Sequence, residues 1–337
     1  MKNKKIVIIG AGPAGIAAAL TLHALHYKPI LIHTGYYKLA PKFEILPSNS
    51  IDVLQKLGLE KILNHSKHEK NFGHLFQWGS QDWQEHNSLF SSRGYGFTIH
   101  KETFYKQLNE IIHILNIPQE KFKINTIRKE NNFWQIQGRY HNIKDIDYII
   151  DCSGHNSILS KFIANEKIIF DRGFGKSILI KTKLPHQLYK QSYLNKLNQS
   201  DWLFQLPYQE DLIYIQKYVS SAEKLKSEIS QQIINSAFNT HQKVFNFDLK
   251  HEQNFSFEVS CRKMFCSSKF ILAGDTALSF NPISSFGTTF ALGSGYYAAL
   301  ATNEILQQHN HNEAIDTYSN IIMNQLEQHL KTLDHLF

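Results

Sequence analysis

Gly10-Ala11-Gly12-Pro13-Ala14-Gly15 follows the apolar run Ile6-Val7-Ile8-Ile9 and leads into a stretch of small residues. A strand, a glycine turn and a helix in that order is the setting in which a G-x-G-x-x-G string binds a dinucleotide. Gly10 permits the tight turn, Gly12 lets the backbone approach a pyrophosphate, and Gly15 lets the helix pack close to the sheet. The helix start at Pro13 and Ala14 offers free N–H groups and a partial positive charge to the phosphates. The second strand of such a unit usually ends in an acid that holds the adenosine ribose hydroxyls. His33 stands there, and Glu44 is the next acid. An imidazole can make one hydrogen bond to the ribose but not the bidentate carboxylate contact.

A second constellation lies towards the other end. Gly274-Asp275-Thr276-Ala277 follows the apolar run Phe270 to Ala273, and Pro282-Ile283-Ser284-Ser285-Phe286-Gly287-Thr288 opens another small-residue helix. An aspartate at a strand end suits a ribityl hydroxyl. A helix start at Gly287 and Thr288 can face the pyrimidine end of a flavin, where its dipole stabilises negative charge on the reduced ring. Pro282, Ser285 and Phe286 are expected to face that ring. The two motifs together predict bound FAD. Only one dinucleotide fingerprint is present, so the electrons are expected from transiently bound NAD(P)H or from a partner flavin reductase.

The elements that must position these residues are legible in outline. Ile6 to Ile9, a helix over Ala14 to Leu25 and a strand over Pro29 to His33 form a βαβ unit that starts a parallel sheet. Helices are predicted over Ile51 to Leu63, with Asn49 or Ser50 as cap, and over Lys101 to Leu115, Ala222 to Phe238, Thr288 to Leu306 and from Asn312 onward. Lys121 to Ile127, Phe133 to Arg139 and Tyr148 to Asp151 read as strands. Short strands rich in β-branched and aromatic residues around 177–182, 202–206 and 212–216 suggest a second, mostly antiparallel sheet. The predicted fold class is therefore α/β: a three-layer, Rossmann-like (ββα) FAD-binding domain over 1–75, 95–170 and 255–310. It is interleaved with a β-sheet substrate domain over 76–94 and 171–254, and followed by a C-terminal helix over 311–337. Trp78, Trp202 and Phe204 are candidates for a substrate pocket, although Trp202, Phe204 and Tyr214 sit at alternate strand positions that equally suit a core.

Composition narrows the partners. Hydrophobic residues make up 42 % and charged residues 19 % of the 337, an ordinary globular balance. No apolar run is long enough for a membrane span, and the run after Lys5 is too short for a signal-peptide core, so a cytoplasmic location is expected. The net charge of +7 is scattered and carries no nucleic-acid motif. Cys152, Cys261 and Cys266 lack the spacing of a disulfide framework or a metal site, so no metal is expected.

The two glycine motifs, with Asp151-Cys152-Ser153-Gly154 between them, resemble the flavoprotein superfamily of aromatic hydroxylases, tryptophan halogenases and geranylgeranyl reductases. A narrower succession follows from about Lys4 to Leu306. Leu46-Pro47-Ser48-Asn49, Leu57-Gly58-Leu59, Trp78-Gly79-Ser80, Gly94 to Lys101 with Phe104 and Leu108, Asp201 to Pro207, and Phe280 to Gly287 come in order. It resembles the halogenase-like flavoprotein monooxygenases that mature protein-derived quinone cofactors. That resemblance implies hydroxylation of an aromatic substrate, either a small molecule or a Trp or Tyr side chain of a peptide or partner protein. It also places Lys101 where the family usually has an arginine near the flavin, keeping charge but losing the forked geometry. The halogenase string Trp-x-Trp-x-Ile-Pro is missing, and Lys70 reads as a solvated lysine. Gly175-Lys176-Ser177 lacks the spacing of a phosphate loop. His74, His100 and His155 are candidates for a proton acceptor, each with a structural role as the simpler reading. Alternative functions are a flavin-dependent reductase or halogenase of a small molecule, and a flavin-binding partner module without turnover.

Overall fold

Ile6–Ile9 is buried along its whole length, as a strand must be when both faces of its sheet are covered. In the computed structural model, which describes residues 4–35, 42–78, 82–183, 190–227, 229–238, 247–307 and 311–336, this strand is the centre of a five-stranded sheet. The order is Phe270–Leu272, Tyr148–Asp151, Ile6–Ile9, Ile30–His33 and Gln119–Lys121, and every neighbouring pair is parallel. One face is covered by the Pro13–Ala24 and Gly287–Gln307 helices, with Lys101–Ile114 beside them. The other is covered by an antiparallel meander of Ile124–Glu130, Phe133–Gly138 and Asn142–Ile146, whose Trp134 and Ile136 join the same core. This is the three-layer arrangement expected.

The two long helices touch through small residues. A Cβ on Gly295 would lie 2.1 Å from the Ala14 carbonyl oxygen, and one on Gly274 would lie 2.9 Å from the Ala14 Cβ. Only glycine lets the backbones come this close, and the contact brings both helix starts to one cleft. The helix expected over Ile51 to Leu63 is shorter. It spans Ser50–Lys56 and stops where Gly58 takes a left-handed conformation (φ +67°), after which Glu60–Asn64 forms a 3-10 turn. The Leu59 N–H donates to the Leu54 carbonyl at 2.7 Å, closing the helix end. Asn49 occupies the cap position without a side-chain hydrogen bond.

The second sheet has eight strands in the order Leu278–Ser279, Asp248–Arg262, Lys167–Lys181, Leu212–Val219, Trp202–Tyr208, Ser192–Lys196, Gly73–Gln77 and Gln84–Asn87. It is antiparallel except where Ser192–Lys196 runs parallel to Gly73–Gln77. Two of its strands have 15 residues each and pair along their length, Lys167 with Arg262 through to Lys181 with Asp248. They cross the expected boundaries. Asp248–Arg262 stays in this sheet well past residue 255, and Lys167–Lys181 enters it before residue 171. Gly73–Gln77 likewise begins ahead of residue 76. The first half of Asp248–Arg262 is largely polar and exposed, so it carries little strand patterning; the ladder with a partner far away in sequence makes it a strand. The helix expected over Ala222 to Phe238 is two, Ala222–Ser227 and Ser230–Phe238.

Between the two large sheets lies a three-stranded one, Phe43–Leu46, Gly96–His100 and His68–Asn71. It sets Glu44 opposite Ile99, two residues before Lys101. Among the described residues, no helix is long and apolar enough to cross a membrane.

Candidate active site

The Gly10 turn is built against the Tyr148–Asp151 strand. Gly10 has φ +105°, and a Cβ there would meet the Cys152 carbonyl oxygen at 2.3 Å. A Cβ on Gly15 would fall 1.8 Å from the Gly10 carbonyl oxygen. Both positions therefore exclude any side chain. Gly12 differs: nothing lies within 4 Å of where its Cβ would be, because that side faces an open cleft of about 830 Å³. The helix begins at Pro13 with no side chain bonded to its first N–H groups. An open cradle beside Gly12, at a helix start without a side-chain cap, fits a dinucleotide pyrophosphate. Gly10, Gly12, Pro13 and Ala14 line the cleft, while Gly15 is the packing contact behind it. Asp151 supports the turn from below. Its buried carboxylate accepts the N–H of Ser153 at 3.0 Å and of Leu159 at 2.8 Å. Burial still raises its pKa, those hydrogen bonds only partly opposing it.

His33, expected at the adenosine end, lines the cleft. Its Nδ1 accepts the N–H of Gly35 at 3.0 Å, which puts the proton of the neutral ring on Nε2. Burial lowers its pKa, with nearby Lys121 and His113 acting the same way against a hydrogen bond to Gln119. The net effect favours the uncharged ring.

The cleft is also lined by Glu44, Lys101, Asp275, Gly287 and Thr288, of which Lys101, Asp275, Gly287 and Thr288 were expected to bind the cofactor. Lys101 Nζ lies 2.9 Å from Glu44 Oε2, and the two side chains are only 12 % and 15 % exposed. Burial pulls the Lys101 pKa down, but Glu44, helped by Tyr105 and Asp275, outweighs it and leaves the ammonium above its ordinary value. Glu44 Oε1 also accepts the N–H of Thr288 at 3.3 Å, in the first turn of the long helix. Lys101 is therefore a fixed charge tied to the helix start and not a free cation. Asp275 is carried by a turn whose Gly274 is left-handed (φ +63°) and whose Gly274 N–H donates to Ser294 Oγ at 2.9 Å. Its Oδ2 lies 3.4 Å from His155 Nε2.

A junction cavity of about 170 Å³ continues from this end. Glu44, Lys101, Asp275 and Gly287 border both spaces, and Pro282, Ser285, Phe280 and Phe286 close the junction. Asn281 caps the short turn Pro282–Ser284, its side chain accepting the Ile283 N–H at 3.0 Å, and Ser285 leaves the turn left-handed (φ +49°). Beyond the junction opens a cavity of about 500 Å³ between the Pro282–Ser285 turn and the eight-stranded sheet. Trp78, Trp202 and Phe204 all line it. Trp202 stacks on Tyr218 with centroids 3.4 Å apart and planes 10° from parallel. Tyr214, the third alternate aromatic, instead packs in the core against Phe43. Gly79 and Ser80, which follow Trp78 in the motif, lie outside the described residues.

The three candidate histidines separate. His74 lines the aromatic cavity, hydrogen-bonded through Nδ1 to Ser192 Oγ, and burial with nearby His86 lowers its pKa to about 4. His100 caps the Lys101–Ile114 helix, Nδ1 accepting the Thr103 N–H at 3.4 Å. His155 stands beside Asp275, as described. Lys70 is exposed, its ammonium 4.5 Å over the Tyr95 ring, and Lys176 lies mid-strand, 3.0 Å from Glu252. The three cysteines are buried free thiols, and no metal-binding cluster occurs among the described residues.

Sequence reasoning did not single out Gln216, Tyr218 or His329. Gln216 and Tyr218 alternate in the Leu212–Val219 strand, and only the neighbouring Trp202–Tyr208 strand shows which face lines the cavity. His329 did leave a signal: it continues the apolar stripe of Ile322 and Leu326 on the last helix.

Comparison with known proteins agrees with this geometry. LodB of Marinomonas mediterranea, described as an FAD-dependent oxidoreductase, is 23 % identical over 315 residues, covering 89 % of this chain and 85 % of LodB. The flavin-dependent halogenase CmlS matches with a TM-score of 0.83 at 20 % identity, over 98 % of this chain and 63 % of CmlS. The chain thus spans less than two thirds of that halogenase. QhpG, a peptidyl tryptophan dihydroxylase essential for tryptophylquinone cofactor biogenesis, matches with a TM-score of 0.71 at 16 % identity, over 96 % of this chain and 72 % of QhpG. At these identities the two structures show a shared fold. The sequence profile described as FAD binding domain matches residues 3–330, and the chain belongs to that family of FAD-dependent oxidoreductases.

Proposed function

We propose that this chain is an FAD-dependent monooxygenase that hydroxylates an aromatic ring, with a Trp or Tyr side chain of a peptide or partner protein as the preferred substrate. The observation that carries this reading is that the aromatic cavity shares the walls Pro282 and Ser285 with the junction, which in turn shares Glu44, Lys101 and Asp275 with the dinucleotide cleft. Trp78, Trp202 and Phe204 supply flat apolar walls suited to an indole or phenol ring. His74 and Ser192 supply a polar wall that can hydrogen-bond a ring N–H or O–H. The Pro282–Ser285 turn holds the ring edge towards the flavin and excludes water behind it. Lys101 and Glu44 keep the helix start at Thr288 aimed at the pyrimidine end. When bound, FAD supplies the redox chemistry that transfers one oxygen atom from dioxygen to the ring. NAD(P)H or a partner flavin reductase supplies the electrons.

The peptide form of the reading draws on the fold shared with QhpG, whose own substrate is a peptidyl tryptophan. The test is to load the protein with FAD, supply NAD(P)H with and without a flavin reductase, and present Trp- and Tyr-containing peptides. Oxygen uptake that follows the peptide, with a product heavier by one oxygen atom, supports the proposal. Product that forms only with chloride or bromide favours a halogenase. Anaerobic reduction of an alkene favours a reductase, and retained FAD with no turnover favours a partner module.

A further inference from the structure

Tyr218 is only 3 % exposed and borders both the junction and the aromatic cavity. Trp202 stacks on its ring, and Phe255 and Phe257 meet it at steep angles with centroids 5.3 and 6.0 Å away. The ring is held in place, and the hydroxyl with it. That hydroxyl makes no hydrogen bond to any described residue. Tyr148, Tyr318, Tyr208 and Tyr214 are comparably buried and differ. The Tyr148 hydroxyl donates to the Phe270 carbonyl at 3.0 Å, that of Tyr318 to the Leu272 carbonyl at 2.6 Å and that of Tyr208 to the Lys67 carbonyl at 3.1 Å. The Tyr214 hydroxyl accepts the Lys42 N–H at 3.0 Å. Unpartnered side-chain atoms that are also fully occluded, such as Gln205 Nε2 and Gln216 Nε2, are out of a ligand's reach. The Tyr218 oxygen is not among them and keeps surface towards the space it lines. Burial raises its pKa well above the ordinary 10, with Tyr214 and Glu44 acting the same way, so the hydroxyl keeps its proton. A buried hydroxyl without a partner is costly, and native proteins keep few such groups without a reason.

We propose that Tyr218 is a specificity-determining residue whose hydroxyl donates to the oxygen of a phenol ring, held where the aromatic cavity meets the junction. A phenolic oxygen accepts the Tyr218 proton, whereas an indole N–H only donates and leaves that proton unmatched. A hydrocarbon ring leaves the whole hydroxyl unmatched. This rests on the aromatic-substrate reading above and selects a Tyr side chain over a Trp. Flavin also carries carbonyl oxygens, so the test must separate the two acceptors.

The FAD-loaded protein is titrated with p-cresol, with p-xylene, which has the same shape and a methyl in place of the hydroxyl, and with 3-methylindole. Binding is read by calorimetry and by the flavin absorption band. Wild type is expected to bind p-cresol at least about tenfold more tightly than p-xylene, and more tightly than 3-methylindole. The variant is Tyr218→Phe, which keeps the stack on Trp202 and removes only the hydroxyl. In it the affinity ratio of p-cresol to p-xylene falls about tenfold, which corresponds to about 1.4 kcal/mol. Its p-xylene affinity and FAD dissociation constant stay within about twofold of wild type by the same scale. The ligand-free variant melts no lower than wild type, since it loses an unpartnered hydroxyl. A lower melting temperature overturns the proposal, because the hydroxyl then has a partner within the protein. An unchanged ratio in the variant overturns it too, as does tighter binding of 3-methylindole than of p-cresol by wild type. A loss of FAD affinity of about tenfold with the ratio intact does the same, because the hydroxyl then serves the flavin. If wild type binds p-cresol and p-xylene equally well, this inference fails and the aromatic-cavity reading stands. If wild type binds none of the three, both fail.

Discussion

The imidazole of His329, on the last helix, accepts the backbone N–H of Asn281 through Nε2 at 3.0 Å. Its ring also meets Phe280 edge-on, with centroids 4.8 Å apart. The His311–Leu336 helix thus fastens the start of the Pro282–Ser285 turn, which stands between the flavin cleft and the aromatic cavity. His329→Leu would leave the buried Asn281 N–H unpaired, and the expected loss is about 1–3 kcal/mol. Urea denaturation with and without FAD checks it; an unchanged midpoint would show that the hydrogen bond contributes nothing.

Acid should loosen the same region. Burial lowers the pKa of both His329 and His74 to about 4, from an ordinary 6.5. Between those values the unfolded chain binds protons that the folded chain refuses, so stability is full above about pH 6.5 and declines as pH falls towards 4. Melting temperatures measured across this window should fall with pH, and less steeply in His329→Leu. Parallel slopes for wild type and variant would assign the acid sensitivity to other groups.

Gly12 and Gly15 should fail in different ways. The methyl that Gly15→Ala introduces would collide with the Gly10 carbonyl, so this variant should lose several kcal/mol of stability, on the order of an overpacked core. Gly12→Ala meets no protein atom and should melt within a few degrees of wild type, on the order of an ordinary surface change. It should nevertheless bind FAD at least about tenfold more weakly, since its methyl points at the pyrophosphate. Melting curves and FAD fluorescence titration separate the two effects.

Lys101 and Glu44 form a pair that neither residue can leave alone. Lys101→Met strands the Glu44 carboxylate in a site where it is 15 % exposed, and breaking a buried pair on one side costs about 3–5 kcal/mol. The double variant Lys101→Met/Glu44→Gln should recover most of that stability. A double-mutant cycle by denaturation reads the coupling; additive losses would mean that the pair is not coupled.

The dinucleotide loop, the Asp275 turn, the parallel βαβ start and the small-residue helices were legible in the residues themselves. Each depends on chemistry within a few neighbours: a left-handed glycine, a close helix contact, a run of apolar residues. That local logic led from Gly10 and Gly274 to the FAD family. The pairings that finish the site are of another kind. Glu44 meets Lys101 because the Phe43–Leu46 strand pairs with Gly96–His100, and Gln216 borders the cavity because the register sets it opposite Phe204. His329 reaches Asn281 across 48 positions because the last helix packs on the long one. The Asp248–Arg262 strand exists because Lys167–Lys181 runs beside it. Such contacts follow from register and packing, which join segments far apart in the chain, and no spacing within one segment encodes which partner a side chain will find.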